Sequence, residues 1–304
     1  MDSTTAARSS RHPLHSTFWP AQIVRAREAI CSGHSDSLHA LARTIFTAYQ
    51  YGRNADGLSE PLAILRSLHT QESTAVDAST LIALELGDVF LAEYRRTGEI
   101  ELIGEMIDVI RRAGTSETRQ TCQLATALLE RCAYFGDEID MEEAKVLLDT
   151  VSAAGSNPQV VVTMALYHAT RYEALTQYDL HELQCAKDDL VNHLHQDTGT
   201  RRTPDVLAIL FRVCHVLCIA RGPKTVENAR TIAREAVELE ASSFPSSDVC
   251  FAWATLSRFF TCLAASTSDW EDMKTARFLT ERIWSLPGSQ SVQSKAQAHG
   301  CLGI

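Results

Sequence analysis

Residues 76–113 read VDASTLIALELGDVFLAEYRRTGEIELIGEMIDVIRRA, and this stretch decides the fold. Apolar residues recur three and four apart through Leu81, Leu84, Leu86, Val89, Phe90 and Leu91, which is the spacing of a helix and not of a strand. The apolar surface of Val76 to Arg96 is broad, so that helix needs neighbours on several sides. Gly98 breaks the pattern, and Ile100 to Ala113 resumes it with one apolar stripe and one charged face. A broadly apolar helix followed by an amphipathic one is therefore the unit.

The unit repeats in both directions. Broadly apolar helices are expected at Asp36 to Tyr51, Glu117 to Phe135, Pro158 to Thr176, Pro204 to Arg221 and Ser247 to Ala265. Amphipathic partners are expected at Leu58 to His69, Met141 to Ala154, Leu180 to His195, Thr225 to Glu240 and Trp270 to Leu286. The breaks inside the pairs, Gly52, Gly98, Gly136, Gln177, Gly222 and Ser268, are 46, 38, 41, 45 and 46 residues apart, a period within the range of helical-hairpin arrays. Further punctuation falls at Gly33, Gly114, Gly155, Gly199 and Pro245. The expectation is an all-α protein, an α-solenoid of about six antiparallel helix pairs over residues 20–304, preceded by a disordered tail at 1–19. A single hairpin cannot bury its apolar faces, so the pairs must stack on one another. Acids gather where the amphipathic helices begin, as at Asp137, Glu138 and Asp140 or Asp269, Glu271 and Asp272, which suits the backbone dipole there and reads as capping.

Composition excludes several roles. Lysine and arginine total 28 against 38 acids, and the resulting net charge of −10 opposes binding to nucleic acid and to anionic lipid. The most apolar stretches, Val206 to Ala220 and Val249 to Ala265, are interrupted by Arg212 and Arg258, so no membrane span is expected. Nine scattered cysteines set among apolar neighbours point to a reducing compartment and a cytoplasmic location.

Leu86-Gly87-Asp88-Val89-Phe90 resembles the Leu-Gly-x-x-aromatic core of a tetratricopeptide first helix, and Ala229, Ala233 and Ala236 fall at the small-residue spacing of its second. Tyr94-Arg95-Arg96-Thr97-Gly98 with Glu101-Leu102-Ile103, and Ile139-Asp140-Met141-Glu142-Glu143-Ala144, resemble the longer repeats of fungal arrays that precede a caspase-like CHAT peptidase domain. The resemblance spans about residues 36–286 and implies a tetratricopeptide-like superhelix whose first helices line a concave face. It implies a non-catalytic scaffold or sensor that presents this face to a peptide or partner domain, with no cofactor. A C-terminal effector domain is a further candidate partner. The chain stops at Gly300-Cys301-Leu302-Gly303-Ile304, where another first helix begins, so it is either a fragment or ends in a rudimentary cap.

Sliding the register of the Leu-Gly core along the array places Leu81, Asp88, Leu91, Arg119, Thr126, Glu130, Val162, Leu166, Arg202, Arg212, Phe251 and Arg258 on the inner face. Of these, Asp88, Arg119, Thr126, Glu130, Leu166, Arg212, Phe251 and Arg258 form the candidate partner-binding groove. Its arginines suit an acidic or carboxylate-bearing segment, with Leu166 and Phe251 as apolar anchors. The competing reading is that Arg212 and Arg258 pair with acids on adjacent helices.

Other chemistry is thinner. Asp188-Asp189-Leu190-Val191-Asn192 has the look of the aspartate-rich magnesium site of isoprenoid diphosphate enzymes, the alternative function, but Asn228 and Glu235 supply no proper second ligand cluster. His181 and Cys185, and Cys214, His215 and Cys218, have metal-ligand spacing, yet the latter thiols sit in the most apolar helix and read as core, so no metal site is expected. His193 and His195 read as helix C-terminal caps. A third class, an all-helical regulatory domain like those of fungal transcription factors, differs in lacking a regular repeat.

Overall fold

The structure, a computed structural model, describes residues 18–30, 35–50, 57–71, 76–114, 117–153, 157–175, 179–196, 204–240 and 247–285. Arg202, the tail before residue 18, the closing residues after 285, Gly33, Gly52, Gly155, Gln177, Gly199 and Pro245 lie outside them. The described residues form thirteen α-helices and no strand: α1 Phe18–Ile30, α2 Ser35–Gln50, α3 Ser59–Gln71, α4 Val76–Thr97, α5 Glu101–Ala113, α6 Thr118–Phe135, α7 Glu138–Ser152, α8 Pro158–Leu175, α9 Leu180–Gln196, α10 Pro204–Arg221, α11 Glu227–Glu240, α12 Ser247–Thr267 and α13 Trp270–Ser285. A single 3-10 turn, Pro223–Val226, leads into α11. The helix from Phe18 to Ile30 has no counterpart in the sequence reading, which begins its first helix at Asp36; it packs on α2 and buries Trp19.

Local chemistry explains where the helices start and stop. Asp137, Asn157, Asp179 and Asp269 each accept a hydrogen bond from the backbone N–H two residues on, at 2.7–2.9 Å, and so satisfy a free donor at the starts of α7, α8, α9 and α13. At α6 the backbone N–H of Glu117 donates to Gln120 Oε1 at 3.2 Å, one half of a reciprocal capping box. Gly98, Gly136 and Gly222 take positive φ of 79°, 73° and 87° to close α4, α6 and α10.

Each helix packs on the next along the chain through most of the array. The broadly apolar helices also pack on one another, α4 on α6, α6 on α8, α8 on α10 and α10 on α12, and α12 returns to pack on α4. The core runs continuously through these helices, with Phe90, Leu86, Ile103, Leu128, Leu210, Phe211, Phe259 and Phe260 all nearly inaccessible. Phe211 of α10 stacks on Phe259 of α12, centroids 5.6 Å apart. At Gly87 an added Cβ would press on Gln123 Oε1 of α6 at 3.2 Å, while it would make only ordinary contact with Ile110 Cδ1 of α5 at 3.5 Å. The glycine of the Leu-Gly core therefore eases the approach of the next apolar helix, α6.

Candidate functional site

Because α12 packs back on α4, the helices α4, α6, α8, α10 and α12 meet one another in a closed succession of contacts. A cleft of about 290 Å³ lies among them, walled by Asp88 and Arg95 of α4, Thr126 of α6, Val162 of α8 and Ile209 of α10. Arg95 lies over the ring of Phe251 from α12, 5.3 Å from its centroid. Deeper in the array, Arg212 of α10 is placed close enough to Glu130 of α6, Tyr94 of α4 and Glu173 of α8 for their charges to act on it.

The expected groove residues do not share one environment. Asp88 and Arg119 are joined, Arg119 donating to Asp88 Oδ2 at 2.6 Å, with the Gln123 amide also donating to Asp88. Thr126 lines the cleft while its hydroxyl donates to the Cys122 carbonyl of its own helix. Glu130 is buried at 6% exposure, and Phe251 lies beneath Arg95. Leu166 is 3% exposed and belongs to the continuous core, so it offers no surface to an incoming chain. Leu81, by contrast, is 43% exposed.

The two arginines of the apolar helices behave differently. Arg212 donates from Nε and Nη2 to one oxygen of Glu173, at 2.8 and 2.6 Å, an ion pair between adjacent helices. Burial opposes the charge on Glu173, but the guanidiniums of Arg212 and Arg258 outweigh it and hold the carboxyl below its usual range. Arg258 has no ion pair among the described residues. Its hydrogen-bond contact there is Nη2 to Nε2 of His215 on α10, at 3.5 Å. Burial first, and the Arg258 charge second, push that imidazole down to about 4, so it is neutral at physiological pH and can accept from Arg258 without repelling it. The interior thus holds one fully compensated cation, Arg212, beside one cation, Arg258, that faces a neutral ring.

Arg95, Tyr94, Glu173 and His215 were not among the expected groove residues. Arg95 is two helical turns beyond Asp88 on the same face, so the register arithmetic that selected Asp88 reaches it when carried further. His215 shares a metal-ligand spacing with Cys214 and Cys218, thiols that the sequence reads as core, and the three have different surroundings. Cys214 is fully buried, with its thiol pushed up by burial, while Cys218 hydrogen-bonds with Cys262 and lies 3.9 Å from Ser266 Oγ, both on α12. Asp188 takes the Gln184 amide and the Lys187 ammonium, the latter at 3.2 Å. Among the described residues no three His, Cys, Asp or Glu side chains gather as metal ligands, and no helix is long and apolar enough to cross a membrane.

Searches of protein families, curated proteins and solved structures found no match to the chain.

Proposed function

We propose that the chain is a tetratricopeptide-like helical array that acts as a non-catalytic interaction module, taking an acidic or carboxylate-bearing segment of a protein partner into the interior bounded by its broadly apolar helices. The observation that carries this reading is Arg258. It is a half-buried guanidinium with no carboxylate partner among the described residues, set against a neutral imidazole. Its charge reaches Glu173 without direct contact, because Arg212 holds that carboxylate, and an incoming carboxylate would supply the direct charge-assisted hydrogen bonds that Arg258 lacks. Arg119, already paired with Asp88 but 44% exposed, offers a second contact near the cleft mouth.

The repeat character rests on the regular spacing of the pairs and on the packing of alternate helices from α4 to α12. The likeness to fungal CHAT-associated arrays makes a C-terminal effector a candidate partner, and the reading places the module in the cytoplasm. Nothing in the geometry around Asp188 and Asp189 favours the diphosphate-enzyme alternative.

The test is fluorescence anisotropy with a panel of labelled nonapeptides rich in glutamate and their glutamine counterparts. The reading expects saturable binding of acidic peptides alone, weakened at least about tenfold in Arg258→Glu, since one charge-assisted contact contributes about 1.5–3 kcal/mol. Equal binding of acidic and neutral peptides, or acidic-peptide binding unchanged in Arg119→Glu/Arg258→Glu, would overturn it.

A further inference from the structure

A second, larger cleft of about 490 Å³ opens on the other side of α8, between the end of α7 and the first half of α9. Its floor is apolar: Val160, Val161, Met164 and Ala165 of α8 face Ala186 of α9. Its wall carries Cys185, whose Sγ lies 3.6 Å from Nδ1 of His181, one turn earlier on α9. Of the six cysteines whose side chains are described, Cys185 is the exposed one; Cys122, Cys132, Cys214 and Cys218 are buried and Cys262 is half-buried. An accessible thiol, a base in contact with it and an apolar trough beside both are brought together nowhere else among the described cysteines.

We infer that Cys185 is a covalent modification site for uncharged α,β-unsaturated carbonyl compounds that carry an aliphatic tail. The thiol is the nucleophile and needs a proton acceptor; with Nδ1 of His181 unprotonated, the proton passes along the contact already present. The sulfur then bonds to the β-carbon of the electrophile, the carbon–carbon π bond opens, and the α-carbon takes up the proton that His181 received. One carbon–sulfur bond forms, nothing leaves, and no oxidant or reductant is required. The tail lies along Val161 and Met164, and the cleft volume falls within the usual range for small-molecule sites. The wall chemistry sets the charge of the ligand. Glu182 is engaged by His168 and Arg171, at 3.4 and 3.8 Å, whereas Asp189 adds a carboxylate one turn beyond Cys185 and repels anionic electrophiles. This site is separate from the interior and does not depend on the function proposed above.

The probes are N-alkylmaleimides from methyl to hexyl, reacted with the full chain. The rate at Cys185, read by peptide mass mapping, is divided by the rate of the same reagent with N-acetylcysteine. The expected ratio rises about tenfold along the series as methylenes leave water on the cleft floor. In Met164→Thr the rise is reduced while the N-methylmaleimide ratio stays unchanged, and in His181→Phe the ratio falls for every tail alike. A ratio independent of tail length in the wild-type chain, or a series equally steep in Met164→Thr, would overturn the inference.

Discussion

At the scale of single residues, the interior is a set of charges whose balance depends on pH. His215, pushed from its ordinary 6.5 to about 4 by burial and by Arg258, refuses a proton that the unfolded chain accepts. Its contribution is therefore complete above about pH 6.5 and is lost as pH falls from there toward 4, by up to about 3 kcal/mol. Urea unfolding midpoints measured between pH 7 and 4 should decline, and His215→Gln should flatten that decline. A residual slope is expected, because burial also lowers His69 and His168. A second residue carries stability at the far end of the array. Asp272 of α13 is fully buried and accepts from Arg230 at 2.6 and 3.1 Å and from Arg234 at 3.1 Å, tying α13 to α11. Without its carboxylate Arg230, only 15% exposed, keeps Asp269 and Glu227 as partners but loses its buried acceptor, as does Arg234, so Asp272→Ala should cost about 1.5–3 kcal/mol in denaturant unfolding. A loss below about 0.5 kcal/mol would mean that the tie is not formed.

At the scale of helices, the sequence is most readable where local chemistry decides the outcome. The twelve expected helices appear within a few residues of their expected bounds because each was bracketed by a helix-starting acid, amide or proline, or by a turn residue. Helix α1 was not foreseen: Phe18-Trp19-Pro20 follows a run of Ser, Thr, Arg and His that reads as tail, and only packing against α2 reveals its role. Ser268 shows the rule by exception. It ends α12 at φ 57°, the one positive-φ residue that is not glycine among the described residues, where Gly98, Gly136 and Gly222 serve three of the other pairs. A Cβ disfavours that conformation, so Ser268→Gly should stabilise the protein by roughly 0.5–1 kcal/mol, seen as a raised thermal midpoint. An unchanged or lowered midpoint would show that Ser268 makes a compensating interaction. The site was less readable than the helices for a physical reason. Arg119 with Asp88, Arg212 with Glu173 and Arg258 with His215 join residues 31, 39 and 43 apart, so the helical period places each on a face without saying which arginine is already paired.

At the scale of the molecule, the return of α12 onto α4 decides what the interior can hold. An open array presents a broad concave surface, whereas here α4, α6, α8, α10 and α12 meet one another in a closed succession of contacts. The contact of Arg95 with Phe251 spans that closure and joins helices that are distant in sequence. The most direct measurement is therefore a double-mutant cycle of Arg95→Ala and Phe251→Ala, read as unfolding free energies. Closure predicts that the two losses fail to add by about 1 kcal/mol, the size expected of a shielded cation–π pair. Strict additivity would contradict it, because two helices that do not meet have no contact to lose twice.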